Sequence, residues 1–420
     1  MTKKQKAIVV GVNLKNQDDF DYSMEELKGL AAANNVEVVG EMTQNLSRIN
    51  KSHYIGAGKV QELINLFHMT GADLVIFNDE LSPSQIRVLE EKLKGRVIDR
   101  TMLILDIFAL RAKTREAQLQ VEVAQLEYML PRLVGQGESL GRQGGGAGLK
   151  NRGAGETKLE LDRRKIEEKI TALTKELELL VANRETQRKQ RQRREVPVVS
   201  LVGYTNAGKS TIMNALVEMY NQSLNKQVFE KDMLFATLET SVRKIKLPDK
   251  RSFLLTDTVG FVSKLPHHLV KAFRSTLEEV AEADLLIHVV DYSDPNHQKL
   301  INVTKQTLES IGIENIPVVF AFNKGDLTDS KIPRVEKDSV YLSAKQKMGM
   351  DELLNLITNH IFKDYIHCEL LIPYDRGQLT SYFNENAHVI STDYEPSGTK
   401  LTLECKQSDF EKYKEYVLSN

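Results

Sequence analysis

A chain of 420 residues has room for about two to four domains, each able to bury its own core. Its 57 Lys and Arg against 58 Asp and Glu leave a net charge of -1, so no whole-chain field draws it to nucleic acid, and any RNA contact has to come from a local patch. Two cysteines, Cys368 and Cys405, without metal-ligand spacing argue against a disulfide framework and against a zinc site, and fit a reducing compartment.

The first segment, MTKKQKAIVVGVN, is basic, but Gly11 and Asn13 break its apolar run, which is too short for a signal-peptide core. No other stretch is apolar for long enough to span a bilayer, so the expectation is a soluble cytoplasmic protein with no membrane partner. Short apolar strands at 7–10, 36–39, 74–77 and 97–98 alternate with amphipathic helices at 24–33 and 84–93, the second announced by Ser82 and Pro83. This is the pattern of an α/β domain with a mainly parallel sheet, placed at 1–108.

From residue 109 the period changes. Val123, Leu126, Leu130 and Leu133 recur at helical steps, and Ile166, Ile170, Leu173, Leu177 and Leu180 follow the heptad of a coiled-coil seam. Between them, residues 135–155 are too rich in glycine for helix or strand. The segment 109–195 is therefore predicted to be a helical hairpin with a glycine-rich tip, and its own pairing satisfies the coiled-coil pattern, so a monomer is expected. Pro197 follows the basic run 187–194 and marks the next boundary. A nucleotide-binding α/β domain is predicted for 196–364, with a mainly parallel sheet and helices on both faces. A small α+β domain follows at 365–420, with strands at 367–372, 387–391 and 400–404.

Four motifs stand at predicted strand ends in the second α/β segment. GYTNAGKST, 203–211, runs from Gly203 through Tyr204, Thr205, Asn206 and Ala207 to Gly208, Lys209, Ser210 and Thr211, with an apolar strand before it and a helix after it. Such a loop wraps backbone N–H groups around a β-phosphate at a helix N-terminus. Lys209 then neutralises β/γ charge, and the Ser210 hydroxyl ligates Mg²⁺. In DTVG, 257–260, Asp257 supplies an acid at a strand end for a second-shell Mg²⁺ contact. Thr258 and Val259 lead to Gly260, whose N–H is aimed at a γ-phosphate.

NKGD, 323–326, supplies Asn323 to tie loops, the Lys324 stem to cover a base, and Asp326 to accept from guanine N1–H and its exocyclic amine. Adenine has neither donor there, so Asp326 selects GTP over ATP. SAK, 343–345, adds Ser343, Ala344 with an N–H for guanine O6, and Lys345. Together the four predict a P-loop GTPase. The hydroxyl that senses the γ-phosphate should come from FATLETS, 235–241, where Thr237, Thr240 and Ser241 all qualify. Phe261 stands where many GTPases carry a water-orienting Gln, which predicts slow intrinsic hydrolysis that a partner accelerates.

A second glycine motif, HYIGAGKV at 53–60, has His53 in place of the first Gly and Val60 in place of Ser or Thr, and is read as a turn into a helix. At the hairpin tip, Arg142, Lys150, Arg152 and Lys158 form a candidate RNA contact.

The segments QLEYMLPRL, GGGAG, GAGETKLELDRR, GYTNAGKST, LFATLET, DTVGFV and LPHHLVKAFRSTLEE occur in one order over nearly the whole chain. In that order the chain resembles the HflX family of bacterial GTPases. The resemblance implies that Thr237 is the switch residue and joins Ser210 as a Mg²⁺ ligand, with Phe235 beside it at the nucleotide. It also implies binding to the large ribosomal subunit, through rRNA and ribosomal proteins, and splitting of stalled ribosomes under stress. A GTP-gated factor for ribosome assembly or another protein complex is the other reading the motifs allow.

Overall fold

The computed structural model describes residues 4–14, 19–133, 152–192, 196–220, 235, 241–249, 251–264 and 280–419. Two compact units divide them. The first takes the residues up to Gln190 together with Phe235 and the stretch 259–264; the second takes the remainder.

The first unit is built on a four-stranded parallel sheet in the order β2-β1-β3-β4. Its strands are β1 (Gln5–Leu14), β2 (Val36–Leu46), β3 (Leu74–Phe77) and β4 (Arg96–Asp99). The crossovers are α1 (Phe20–Ala33), α2 (Ala57–Thr70) and α3 (Pro83–Leu93). β2 is longer than its apolar run because it pairs with β1 as far as Leu46 opposite Leu14. Ser82 caps α3 in a reciprocal box with Gln85, Pro83 standing at the first turn. Gly56 precedes α2, its N–H donating to Gln44 Oε1 at 2.9 Å, so the HYIGAGKV segment is indeed a turn into a helix.

Helix α4 (Arg100–Arg111) leads into α5 (Arg115–Leu133), and α6 spans Arg152–Gln192. One buried stripe of α5 is Ala117, Val121, Ala124 and Tyr128, with Leu119 and Gln120 buried beside its first turns, while Val123, Leu126 and Leu130 are only half-buried. The helix thus carries two apolar faces, and the periodicity legible in the sequence belongs to the shallower one. Arg115 pairs with Glu176 at 2.7 Å and Glu122 with Lys169 at 2.6 Å. Seven residues forward on α5 are seven back on α6, so the two helices run antiparallel. One expectation is corrected: helix begins at Arg152, inside the stretch taken for a glycine loop. A glycine costs a helix about 1 kcal/mol, which extension of a long helix by one more turn absorbs.

The second unit holds a seven-stranded sheet in the order β10-β11-β9-β8-β5-β7-β6. Its parallel centre is β5 (Val198–Gly203), β7 (Ser252–Asp257), β8 (Leu285–Asp291), β9 (Val318–Asn323) and β11 (Ser339–Tyr341). The edges β6 (Ser241–Lys246) and β10 (Arg334–Glu336) run antiparallel. Helices α7 (Lys209–Tyr220), α8 (His297–Ser310) and α9 (Met350–Ile361) pack on it. β5 and β8 are buried almost throughout, as central parallel strands covered by helices must be.

The same unit ends in an antiparallel sheet, β13-β14-β12-β15, of β12 (Tyr365–Ile372), β13 (His388–Glu395), β14 (Gly398–Lys406) and β15 (Val417–Ser419). With α10 (Gly377–Asn386) and α11 (Gln407–Lys412) it encloses a separate core around Leu370, Phe383, Leu401 and Leu403. Cys368 and Cys405 lie in that core, both fully buried, with sulfurs 3.8 Å apart and unbonded.

Candidate functional site

The loop between β5 and α7 has a shape only glycine permits at two points. Gly203 has φ +145 and Gly208 φ +97; a Cβ would stand 2.2 Å from the Val289 carbonyl at the first and 2.1 Å from Asn323 Nδ2 at the second. Lys209, 7% exposed, folds back so that its Nζ donates to the carbonyls of Gly203 at 3.1 Å and Tyr204 at 2.8 Å. Burial pushes its pKa down from 10.5 to about 8, a fall the nearby Asp257 carboxylate partly opposes. Beside it the Ser210 hydroxyl donates to Asp257 Oδ2 at 2.6 Å, and Asp257 is fully buried. Thr258 anchors the next residue by donating to the Leu201 carbonyl at 2.6 Å. Tyr204, Thr205 and Ala207 are buried, Asn206 is exposed with φ +62, and Thr211 is half-buried.

Asn323 joins three loops. Its Nδ2 donates to the Ala207 carbonyl at 3.0 Å and its Oδ1 accepts from Ala344 N–H at 2.9 Å, with the side chain 3% exposed. The N–H expected to read guanine O6 is therefore turned toward Asn323 in this arrangement. Lys324, with φ +62, pairs with Asp291 at 2.6 Å, which aligns its stem. Asp326 lies half-buried in the 3₁₀ turn Gly325–Leu327. Ser343 is buried, its Oγ accepting from Gln346 N–H at 3.2 Å, and Lys345 is exposed.

Two residues were not found from the sequence. His288, opposite Val202 in the sheet, is buried and stacks on Phe320 at 5.2 Å. Burial first and Lys209 second lower its pKa to about 4, so a neutral ring underlies the lysine. Asp291 has no motif to mark it, yet it orders Lys324 and accepts from Ser293 Oγ at 2.6 Å. Of the remaining predicted positions, Ser241 opens β6 opposite Asp257, and the others fall in the first unit or outside the described residues. Phe235 is 2% exposed and meets Phe108 edge to face at 4.7 Å. Val259, Gly260 and Phe261 are buried. Thr237, Arg142 and Lys150 lie outside the described residues, as do the side chains of Arg152 and Lys158.

A glycine-bounded loop between a central strand and a helix, a buried lysine folded over it, and a serine bonded to a strand-end carboxylate define a P-loop GTPase domain. Residues 198–324 match the family described as 50S ribosome-binding GTPase. Residues 21–109 and 111–191 match the GTP-binding GTPase N-terminal and middle regions. The GTPase HflX of Caldanaerobacter subterraneus subsp. tengcongensis is 44% identical over 99% of this chain and 94% of its own length. That of Alkalihalophilus pseudofirmus is 43% identical over 94% of this chain and 92% of its own, and that of Escherichia coli 39% over 90% and 88%. The chain belongs to the HflX family of GTPases. Among the described residues no helix is long and apolar enough to cross a membrane.

Proposed function

We propose that this GTPase binds Mg²⁺·GTP at the loop 203–211, is accelerated by the large ribosomal subunit, and uses the cycle to split or rescue stalled ribosomes in the cytoplasm under stress. The observation that carries the nucleotide part is the set Lys209, Ser210 and Asp257: one buried cation beside one hydroxyl bonded to a buried carboxylate. A hard oxygen pair next to a glycine-bounded loop fits Mg²⁺. Ser210 would hold the ion with Thr237, Asp257 acting through the outer shell, and the ion supplies charge neutralisation across the β- and γ-phosphates.

Around it the chain's own groups bind and orient. Lys209 gives up its two carbonyl contacts for phosphate oxygens, and the N–H groups of 204–211 line the β-phosphate. Thr258 and Val259 carry Gly260 to the γ-phosphate, and Asp326 accepts from guanine beneath the Lys324 stem. Phe261 is 3% exposed and has no group to orient water, so hydrolysis needs a partner to complete it.

The four-part division 1–108, 109–195, 196–364 and 365–420 is supported by the three matched segments, whose limits fall close to the first two boundaries. The ribosome reading draws on the family's description, and on cations at the proposed hairpin tip, Arg142, Lys150, Arg152 and Lys158, contacting rRNA from a monomeric protein. GTP hydrolysis by the purified protein, alone and with large or small subunits, tests it alongside co-sedimentation with a non-hydrolysable analogue. Stimulation and binding by large subunits are expected; no response to either would turn the reading to another partner.

A further inference from the structure

Two contacts in the first unit fall on a segment that the proposed reaction must order. Arg100 Nη2 donates to the Ser263 carbonyl at 3.1 Å, and Asp79 accepts from Lys264 Nζ at 2.5 Å. Ser263 and Lys264 stand three and four residues beyond Gly260. Neither partner is a loose surface group. Arg100 is 2% exposed, held by the Glu26 carboxylate and by Asn78 Oδ1 at 3.0 Å, and Asn78 is held in turn by Ser23. Asp79 also accepts from the Tyr54 hydroxyl, whose ring sits edge-on to Phe77. Asn78 and Asp79 follow β3, and Arg100 follows β4, the neighbouring parallel strand. A rigid sheet edge thus grips both main chain and side chain of the 263–264 turn, whose Lys264 has the strained φ of +56. Glu26 and Asn78 already serve the guanidinium inside the N-terminal sheet. Its bond to a carbonyl 163 positions later adds nothing that sheet requires.

We propose that Arg100 and Asp79 are positioning residues for GTP hydrolysis. By holding the 263–264 turn they pre-order the chain on which Gly260 meets the γ-phosphate, so less entropy is lost when GTP binds. This rests on the reading that Gly260 contacts that phosphate. GDP lacks the group and gains nothing from the hold. The coupling is reciprocal, and GTP tightens the same turn onto Asp79 and Arg100.

The test uses the full chain. Lys264→Met removes the exposed ion pair and leaves the Tyr54 bond to Asp79 intact; the exchange Asp79→Lys with Lys264→Asp restores opposite charges. Affinities for GDP and for a non-hydrolysable GTP analogue are measured in parallel, with the single-turnover rate. Lys264→Met should weaken the analogue about three- to fivefold, as an exposed pair allows, with a slower turnover, unchanged GDP affinity, and recovery in the exchange variant. Arg100→Lys should show the same selectivity for the analogue more strongly. Should it fail to fold, Lys264→Met still decides. Equal losses for both nucleotides, no change, or tighter analogue binding would overturn the positioning role alone. A wild-type chain that discriminated against neither nucleotide would instead sink the γ-phosphate reading and this proposal with it.

Discussion

Raising the pH from 7 to 9 should weaken triphosphate binding about tenfold, because Lys209 must be charged to hold phosphate and is only weakly basic before nucleotide arrives. Its pKa of about 8 in the ligand-free protein leaves most of it protonated at pH 7 and about a tenth at pH 9. Phosphate oxygens hold the proton in the complex, so the free protein has to take one up, and the apparent Kd grows by about one plus ten to the power of pH minus 8. The same burial acts on stability with a definite sign. The folded pKa lies below the unfolded 10.5, so the unfolded chain binds more protons between about pH 8 and 10.5, and the ligand-free fold gains stability as pH rises through that window. Below pH 8 the buried charge costs the fold about 3 kcal/mol, which is what remains after the Asp257 carboxylate has opposed part of the burial penalty.

The assay is titration with a fluorescent, non-hydrolysable GTP analogue at constant ionic strength and saturating Mg²⁺. Lys209→Arg keeps its charge throughout and controls for ionisation of guanine; its weaker binding should stay flat with pH. If the wild-type affinity were equally flat, either the lysine is not the phosphate ligand or its burial does not weaken it, and the reasoning fails.

Other substitutions probe the frame around the lysine. Asp326→Asn should cost GTP about a hundredfold or more in affinity, since an amide cannot accept from both guanine donors, and competition with xanthosine triphosphate should show the preference moving toward the base with a C2 carbonyl. Asn323→Ala leaves the Ala207 carbonyl and the Ala344 N–H without their partner, and urea denaturation should show a loss of about 2–5 kcal/mol. Gly208→Ala forces a Cβ to 2.1 Å from Asn323 Nδ2 at a positive φ, so a lowered Tm and lost nucleotide binding should appear together. A Gly208→Ala protein with normal affinity would contradict the loop geometry.

The parts legible in the sequence were those where chemistry leaves few alternatives. The loop 203–208 needs glycine at Gly203 and Gly208, where φ is positive and a Cβ would strike Val289 and Asn323, so its spelling survives without knowledge of the fold. Elements with a strong apolar pattern, such as the unbroken run of β3 at Leu74–Phe77 and the heptad seam of α6, were legible for the same reason. What stayed hidden depends on partners far along the chain. Nothing local marks Arg100 as buried, because Glu26 and Asn78 reach it from 74 and 22 positions away. The deeper stripe of α5 contains Ala117 and Ala124, too small to outweigh Leu126 and Leu130 in a periodicity count. His288 sits in an apolar run and titrates out of the way because the sheet closes around it.

The paired thiols of the C-terminal sheet give the molecule a built-in reporter. Cys368 and Cys405 are the only two cysteines of the chain, both wholly enclosed, one on each of two neighbouring strands. A thiol-reactive dye cannot touch either until the core between this sheet and its helices opens, so its uptake clocks the opening of that subdomain alone. Without any label being engineered in, the rate of colour development would reveal whether a proposed partner, such as the large ribosomal subunit, holds this sheet and its helices shut or pries them loose.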